Sequence, residues 1–300
     1  MEYDFNHYLR TSFSITLLKT KKMKKILVPV DFSEIANNAI KYAKEIGNRL
    51  SAELVFIHLI STPITWKDLP LEKEELYPET KIKLSDAKFK LNKMVMDSVK
   101  DGVDASYSLI YDSEIGELYK YIDSEKYQLI VMGTNGEVGI EQILGSNTFN
   151  TLKRSKIPVL AVRENNDYRL MNEIVIASDF EEKSRASFDL LFEMAMALKL
   201  RIKLLYVNVP YNFRETPEIE LLINGFVENK VVDRIETRII NALNEERGIG
   251  IFLAEEKPDI IATVTHGRSV INNLFSPSIT EGLLSDFNIP VLSINMNPKK

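Results

Sequence analysis

The chain repeats itself, and a repeat of this size limits what it can fold into. ILVPVDFSE at residues 26–34 returns as IVIASDFEE at 174–182, and IPVLAV at 157–162 returns as IPVLSI at 289–294. Between them QLIVMGTNG at 128–136 returns as DIIATVTHG at 259–267. The spacing is that of a duplicated unit of about 140 residues, so each copy builds its own core. Inside a unit, short apolar runs alternate with segments of helical period, which predicts a parallel sheet joined by right-handed crossovers.

In the first copy Ile26–Val30 is a strand, and Ser33 follows as an N-cap with Glu34 in the first turn. Ile35, Ala39, Ala43 and Ile46 then keep one apolar helical face. Leu54–Leu59 is the second strand. A proline-bearing loop containing Trp66 leads to a helix marked by Leu84, Ala87, Leu91 and Met94. Ser106–Tyr111 is the third strand, and Ile115, Leu118, Tyr119 and Ile122 mark a third helix. Leu129–Met132 has no polar alternation, as expected of a central strand covered on both faces. Pro158, near the start of the strand 157–162, marks it as an edge, and 289–294 has the same form.

Glu164–Asn172 is composed like a linker. Residues 1–22 read as a loose extension from an upstream start codon, because Met23-Lys24-Lys25-Ile26 looks like a natural beginning. Their apolar patch precedes their lysines, the wrong order for a secretion signal. The expected division is therefore an extension at 1–22, one domain at 23–163 and a second at 173–297.

Composition removes several classes. A net charge of −5 gives no reason to expect a nucleic-acid partner, which needs a basic face. Zero cysteine excludes disulfides, thiolate metal sites and thiol nucleophiles, and is compatible with a reducing compartment. No apolar run approaches the roughly 18 residues that span a bilayer, so no membrane partner is expected.

The stretch 129–148 carries the chemistry. Its strand ends in Gly133 and Gly136, which turn the chain, and Gly145-Ser146-Asn147-Thr148 opens a helix whose first N–H groups can point at an anion. Glycines let backbone approach phosphate oxygens closely. On loop chemistry alone, a ligand site and a generic strand-to-helix turn remain equally open. Asp31 ends the first strand on the carboxyl edge, where open α/β sheets bind ligands. It is either a carboxylate for a ribose hydroxyl or a phosphate-bound Mg²⁺, or a turn aspartate like its echo Asp179.

In the second copy the three glycine positions are Val264, Gly267 and Pro277. Pro277 lacks an N–H and Val264 is β-branched, so this half should bind a nucleotide poorly and serve a structural or regulatory role. P-loop, zincin and serine-hydrolase motifs are absent, and Gly248-Ile249-Gly250 lacks the third glycine of a dinucleotide fingerprint. His58, inside an apolar strand, reads as a packed core histidine, and His266 as a solvated loop side chain.

The pattern Gly133-x-x-Gly136, a gap, then Gly145-Ser146 resembles the nucleotide-binding signature of the universal stress protein family, and LVPVDFSE resembles that family's opening strand. The gap, Glu137 to Leu144, is one residue shorter than the family's usual spacing. The resemblance implies two tandem Rossmann-like domains of the adenine nucleotide alpha hydrolase-like type, each a five-stranded parallel sheet flanked by helices. It implies that Leu59 holds the adenine through its backbone with Asp31 and Met132 alongside. Gly133 and Gly136 would line the ribose and phosphate path, and Gly145, Ser146 and Asn147 would meet the phosphates.

It further implies a cytoplasmic, stress-tuned regulator that binds ATP, ADP or AMP in the first domain, with Mg²⁺ and an unknown protein partner. The last strands would pair within the chain as a pseudo-dimer, with a homodimer as a further possibility. No general base stands with a positioned nucleophile, so slow ATP hydrolysis is the most chemistry expected. The other class of function is a nucleotide-independent protein–protein interaction module in which the cradle is a vestige.

Overall fold

The computed structural model describes residues 25–111, 127–134, 157–163, 168–228, 230, 235–265 and 289–295. The first half contains β1 (Lys25–Pro29), α1 (Glu34–Leu50), β2 (Glu53–Ile60), α2 (Leu71–Glu74), α3 (Pro78–Lys100), β3 (Ala105–Tyr111), β4 (Leu129–Thr134) and β5 (Val159–Arg163). The second contains β6 (Glu173–Ala177), α4 (Arg185–Ala197), β7 (Arg201–Asn208), α5 (Thr216–Val227), β8 (Ile235–Asn241), α6 (Glu245–Glu256), β9 (Ile260–Thr265) and β10 (Val291–Asn295). The segments 1–24, 112–126, 135–156 and 266–288 lie outside the described residues, and with them the third helix expected around Ile115–Ile122.

The strands form one sheet in the order β3-β2-β1-β4-β5-β10-β9-β6-β7-β8. Each half follows one plan, with its first strand central and its fourth and fifth strands on the side opposite its second and third. Neighbours are parallel within each half. Among the described strands, only β5 and β10 run antiparallel, with Leu160 opposite Leu292.

The two strands expected to be edges therefore lie in the interior of the sheet. Each presents its open side to the other, and its proline stands just before the strand, where a missing N–H breaks no ladder bond. Pro158 and Pro290 instead contribute carbonyls, to Ile130 N–H (2.9 Å) and Ile261 N–H (3.1 Å).

One apolar face is continuous across both halves. It carries Ile26, Val28, Leu54, Phe56, Leu129 and Val131 in the first, and Ile174, Ile176, Leu204, Ile260 and Leu292 in the second, covered by residues of α1, α3, α4 and α5. α1 buries Ile35, Ala39, Ala43 and Ile46, the four residues its period predicts, and Ser33 caps it by accepting from Ala36 N–H. α6 packs on the opposite face through Ile249, Phe252 and Leu253 against Val175, Leu205 and Ile261.

Two connections are more structured than their composition suggests. The loop after β2 tucks Trp66 against Ile60, Leu84 and Ala87, with Tyr77 edge-on to it. The end of the polar segment expected to be a linker is docked: Met171 is fully buried, and Glu45 of α1 accepts from Met171 N–H (3.1 Å) and Tyr168 O–H (3.0 Å). Arg49, paired with Glu45, donates to the carbonyls of Met171 and Leu198. The carboxylate is 8% exposed, and its three partners are what make that burial tolerable. No described helix is long and apolar enough to cross a membrane.

Candidate functional site

At β1 the chain's direction across the sheet reverses: β2 and β3 lie on one side of it, β4 and β5 on the other. In open sheets of this kind the carboxyl ends of the strands beside such a reversal are the usual ligand position. Asp31 from β1, Leu59 from β2, and Met132 and Gly133 from β4 all reach this edge. The register pairs Pro29 with Ile57 and Leu27 with Ile130, so continuing it sets Asp31 level with Leu59 and Val30 level with Gly133.

The turn after β1 follows from Asp-Phe-Ser. Asp31 Oδ1 accepts from Ser33 N–H at 2.9 Å, and Phe32 adopts the left-handed region at φ 66°. A short side-chain acceptor two residues before a backbone donor closes such a turn, and Ser33 then caps the helix. His58 braces it from β2: Nδ1–H donates to Val30 O at 2.8 Å, and the imidazole lies 4.4 Å from the Phe32 ring. Lys90 Nζ stands 5.2 Å from the centre of that ring. Burial holds the His58 pKa below its ordinary value against the opposing pull of Val30 O and Asp31, so it is neutral at pH 7. This histidine is occupied in holding a strand end.

The backbone of Leu59 is the site's distinctive feature. Leu54 N–H donates to Asp104 O on the β3 side, and Ile57 O accepts from Val30 N–H on the β1 side, each at 2.8 Å. Backbone groups of successive residues in a strand alternate between its two neighbours, so Leu59 directs its N–H and C=O to the β1 side. The pairing of β1 with β2 ends at Pro29 and Ile57, and no strand stands beside Leu59 there among the described residues. An adjacent donor and acceptor on an open strand end match the edge of a flat heterocycle. The side chain of Leu59 packs on the same face as Met132, with Leu27, Ile57 and Ile130.

Gly133 has a packing reason to be glycine. A Cβ there would lie 2.5 Å from Ile35 Cγ2 and 3.0 Å from the Ile35 carbonyl carbon and oxygen, so the first turn of α1 presses directly on β4. Gly136, Gly145, Ser146 and Asn147 lie outside the described residues, as do His266, Gly267 and Pro277. The structure thus gathers four of the expected positions at one edge. Two features of the site, the His58 brace and the open Leu59 backbone, carry no motif. The echoed Asp-Phe pair is the one signal that pointed to the turn.

The second half makes the same turn with different partners. Asp179 Oδ1 accepts from both Glu181 N–H and Ser184 Oγ, and Phe180, again left-handed at φ 50°, is 1% exposed among Phe188, Tyr206 and Phe226. Its helix starts at Arg185, after a 3-10 turn at Glu182–Ser184, whereas α1 starts at Glu34, the echo of Glu182. Among the described residues, no three His, Cys, Asp or Glu side chains gather as a metal site.

Comparison with known proteins is consistent with this geometry. The profile of the universal stress protein family matches residues 22–163. A universal stress protein of Methanocaldococcus jannaschii is 32% identical over 156 residues, covering 48% of this chain and 96% of that protein. A second from the same organism is 32% identical over 144 residues, covering 47% of this chain and 82% of its own length. Over nearly the whole chain, the fold is similar to the crystal structure of a universal stress protein from Archaeoglobus fulgidus. The TM-score is 0.66 at 16% identity, covering 90% of this chain and 96% of that one.

Proposed function

The chain belongs to the universal stress protein family, and from that premise we propose that it binds an adenine nucleotide at this edge of its first half and acts as a cytoplasmic regulator. The observation that supports this most is the open backbone of Leu59, level with Asp31 at the point where strand order reverses. Leu59 N–H and C=O take the adenine edge, and Leu59 and Met132 supply its apolar floor. Asp31, with one oxygen committed to Ser33, offers the other to a ribose hydroxyl. Gly136, Gly145, Ser146 and Asn147 take the phosphates of ATP, ADP or AMP, and any Mg²⁺ is held chiefly through those phosphates.

The chain is a tandem of two such domains, the second serving the first across the β5–β10 junction as an intrachain pseudo-dimer. The nucleotide state is what a protein partner reads. One observation favours the other reading, an interaction module with a vestigial cradle: packing against Ile35 alone accounts for Gly133.

Titration calorimetry separates the two readings. One site per chain for ATP, weakened by Asp31→Ala, supports the nucleotide reading. Absence of binding for ATP, ADP and AMP alike transfers the case to the interaction module. At 100 times its Kd a ligand should also stabilise the chain by about 2.7 kcal/mol.

A further inference from the structure

α3 carries a pattern that neither its fold nor the candidate site requires. Its core side is formed by Leu84, Ala87, Leu91 and Ser98. On the far side Ile82, Phe89 and Met96 stand 69%, 71% and 71% exposed. They recur every seven residues, close to two helical turns, so they form one stripe along the helix. An exposed helix face is ordinarily polar.

Two rows flank the stripe at the same spacing. Ser85, Asn92 and Val99 are uncharged. Glu79, Asp86, Lys93 and Lys100 run along the other side, with the acids at the N-terminal end and the bases at the C-terminal end.

We propose that α3 is a self-docking helix through which two copies of the chain pair antiparallel, about a two-fold axis at Phe89. Phe89 is the midpoint of the stripe, so in that arrangement it meets its own copy, and Ile82 packs against Met96 of the second chain on either side. A two-fold axis perpendicular to antiparallel helices brings the charged rows to the same side. Glu79 then faces Lys100 and Asp86 faces Lys93, each twice, and flanking charge of this kind sets partner and orientation in paired helices.

A parallel pair would instead set acid on acid and base on base. The charge order is complementary to itself reversed, which is why the occupant is a second copy. Among the described residues, α3 packs its core side over β3, the outermost strand of the sheet, and leaves its stripe facing outwards. A single stripe with its flanks buries less than about 1,200 Å², so the dimer is a weak one.

The test uses the full chain in sedimentation equilibrium across micromolar concentrations, where a monomer–dimer equilibrium is expected. Phe89→Lys, at an exposed position, should weaken it by at least about tenfold. Lys93→Glu should weaken it, and adding Asp86→Lys to Lys93→Glu should restore it, because the reversed pair is again complementary.

The chain has no cysteine, so introduced thiols report geometry directly. An oxidised mixture of Ile82→Cys and Met96→Cys chains should yield a disulfide-linked dimer that neither variant forms alone. A chain monomeric throughout, a dimer indifferent to Phe89→Lys, a charge swap that fails to restore association, or Ile82→Cys linking to itself would each overturn the proposal.

Discussion

Gly133→Ala measures how tightly α1 is seated on β4. The added Cβ would lie 2.5 Å from Ile35 Cγ2 and 3.0 Å from the Ile35 carbonyl carbon and oxygen, in a place where Ile35 is 4% exposed. Ile35 is β-branched and stiff at χ1, so its methyl cannot simply rotate away. The backbone atoms belong to a turn fixed by the Ser33 cap, so relief requires the helix start to lift.

Overpacking of this kind costs about 1–3 kcal/mol. At about 2 kcal/mol, the melting temperature should fall by roughly 4–8 °C. Gly225→Ala is the control: nothing lies within 4 Å of its Cβ, and it sits inside α5, so it should be stabilising by roughly 0.5–1 kcal/mol. Urea and thermal unfolding of the two variants beside the parent give the comparison. If Gly133→Ala unfolds within about 0.5 kcal/mol of the parent, the contact is not tight and packing does not account for that glycine.

Leu59→Pro deletes an N–H that the β2–β3 ladder does not use; it should leave a folded protein with weakened nucleotide binding, whereas His58→Pro should cost folding, as circular dichroism and calorimetry would show. Glu45→Ala strands Met171 N–H and unpairs Arg49, and should destabilise by about 2–3 kcal/mol in urea unfolding. Burial and the Glu45 carboxylate push Tyr168 up to about 12, and because its folded pKa exceeds the unfolded value of 10.0, its contribution is complete below pH 10 and lost as pH rises towards 12. Tyr168→Phe should flatten that part of the stability–pH curve. A fragment of residues 23–165 deprives β5 of β10 and exposes an edge, so light scattering should find it dimeric.

The strands were legible because a run such as Leu129–Met132, buried on both sides, must be apolar throughout. The helices were legible because one buried face imposes a period, as at Ile35, Ala39, Ala43 and Ile46. Leu59 was named only through the family resemblance, because its backbone lies open where β1 stops short of β2 and nothing in the letter L records that. The parts that escaped are those no side-chain pattern encodes. Composition called 164–172 polar, but Tyr168 and Met171 find their partners on α1, more than a hundred residues earlier. The stripe on α3 was hidden for the opposite reason: its apolar residues have helical spacing, but the face they mark is not the one that meets the core.

The halves differ locally at the turn that follows their first strands. The same Asp-Phe turn is made twice, with both phenylalanines left-handed. Phe32 meets His58, a small ring already engaged by Val30 O, and stays only partly buried. Phe180 stacks on Tyr206, the echo of His58, at 6.5 Å between ring centres, and Phe188 and Phe226 from two helices complete a cluster that buries it. At about 0.5–1.5 kcal/mol for each ring contact beyond area burial, the three contacts of Phe180 fix it more firmly than the one contact fixes Phe32. In the first half, among the described residues, Phe32 meets one ring, His58. The same turn is thus packed differently in the two halves according to the ring that stands at position 58 or 206.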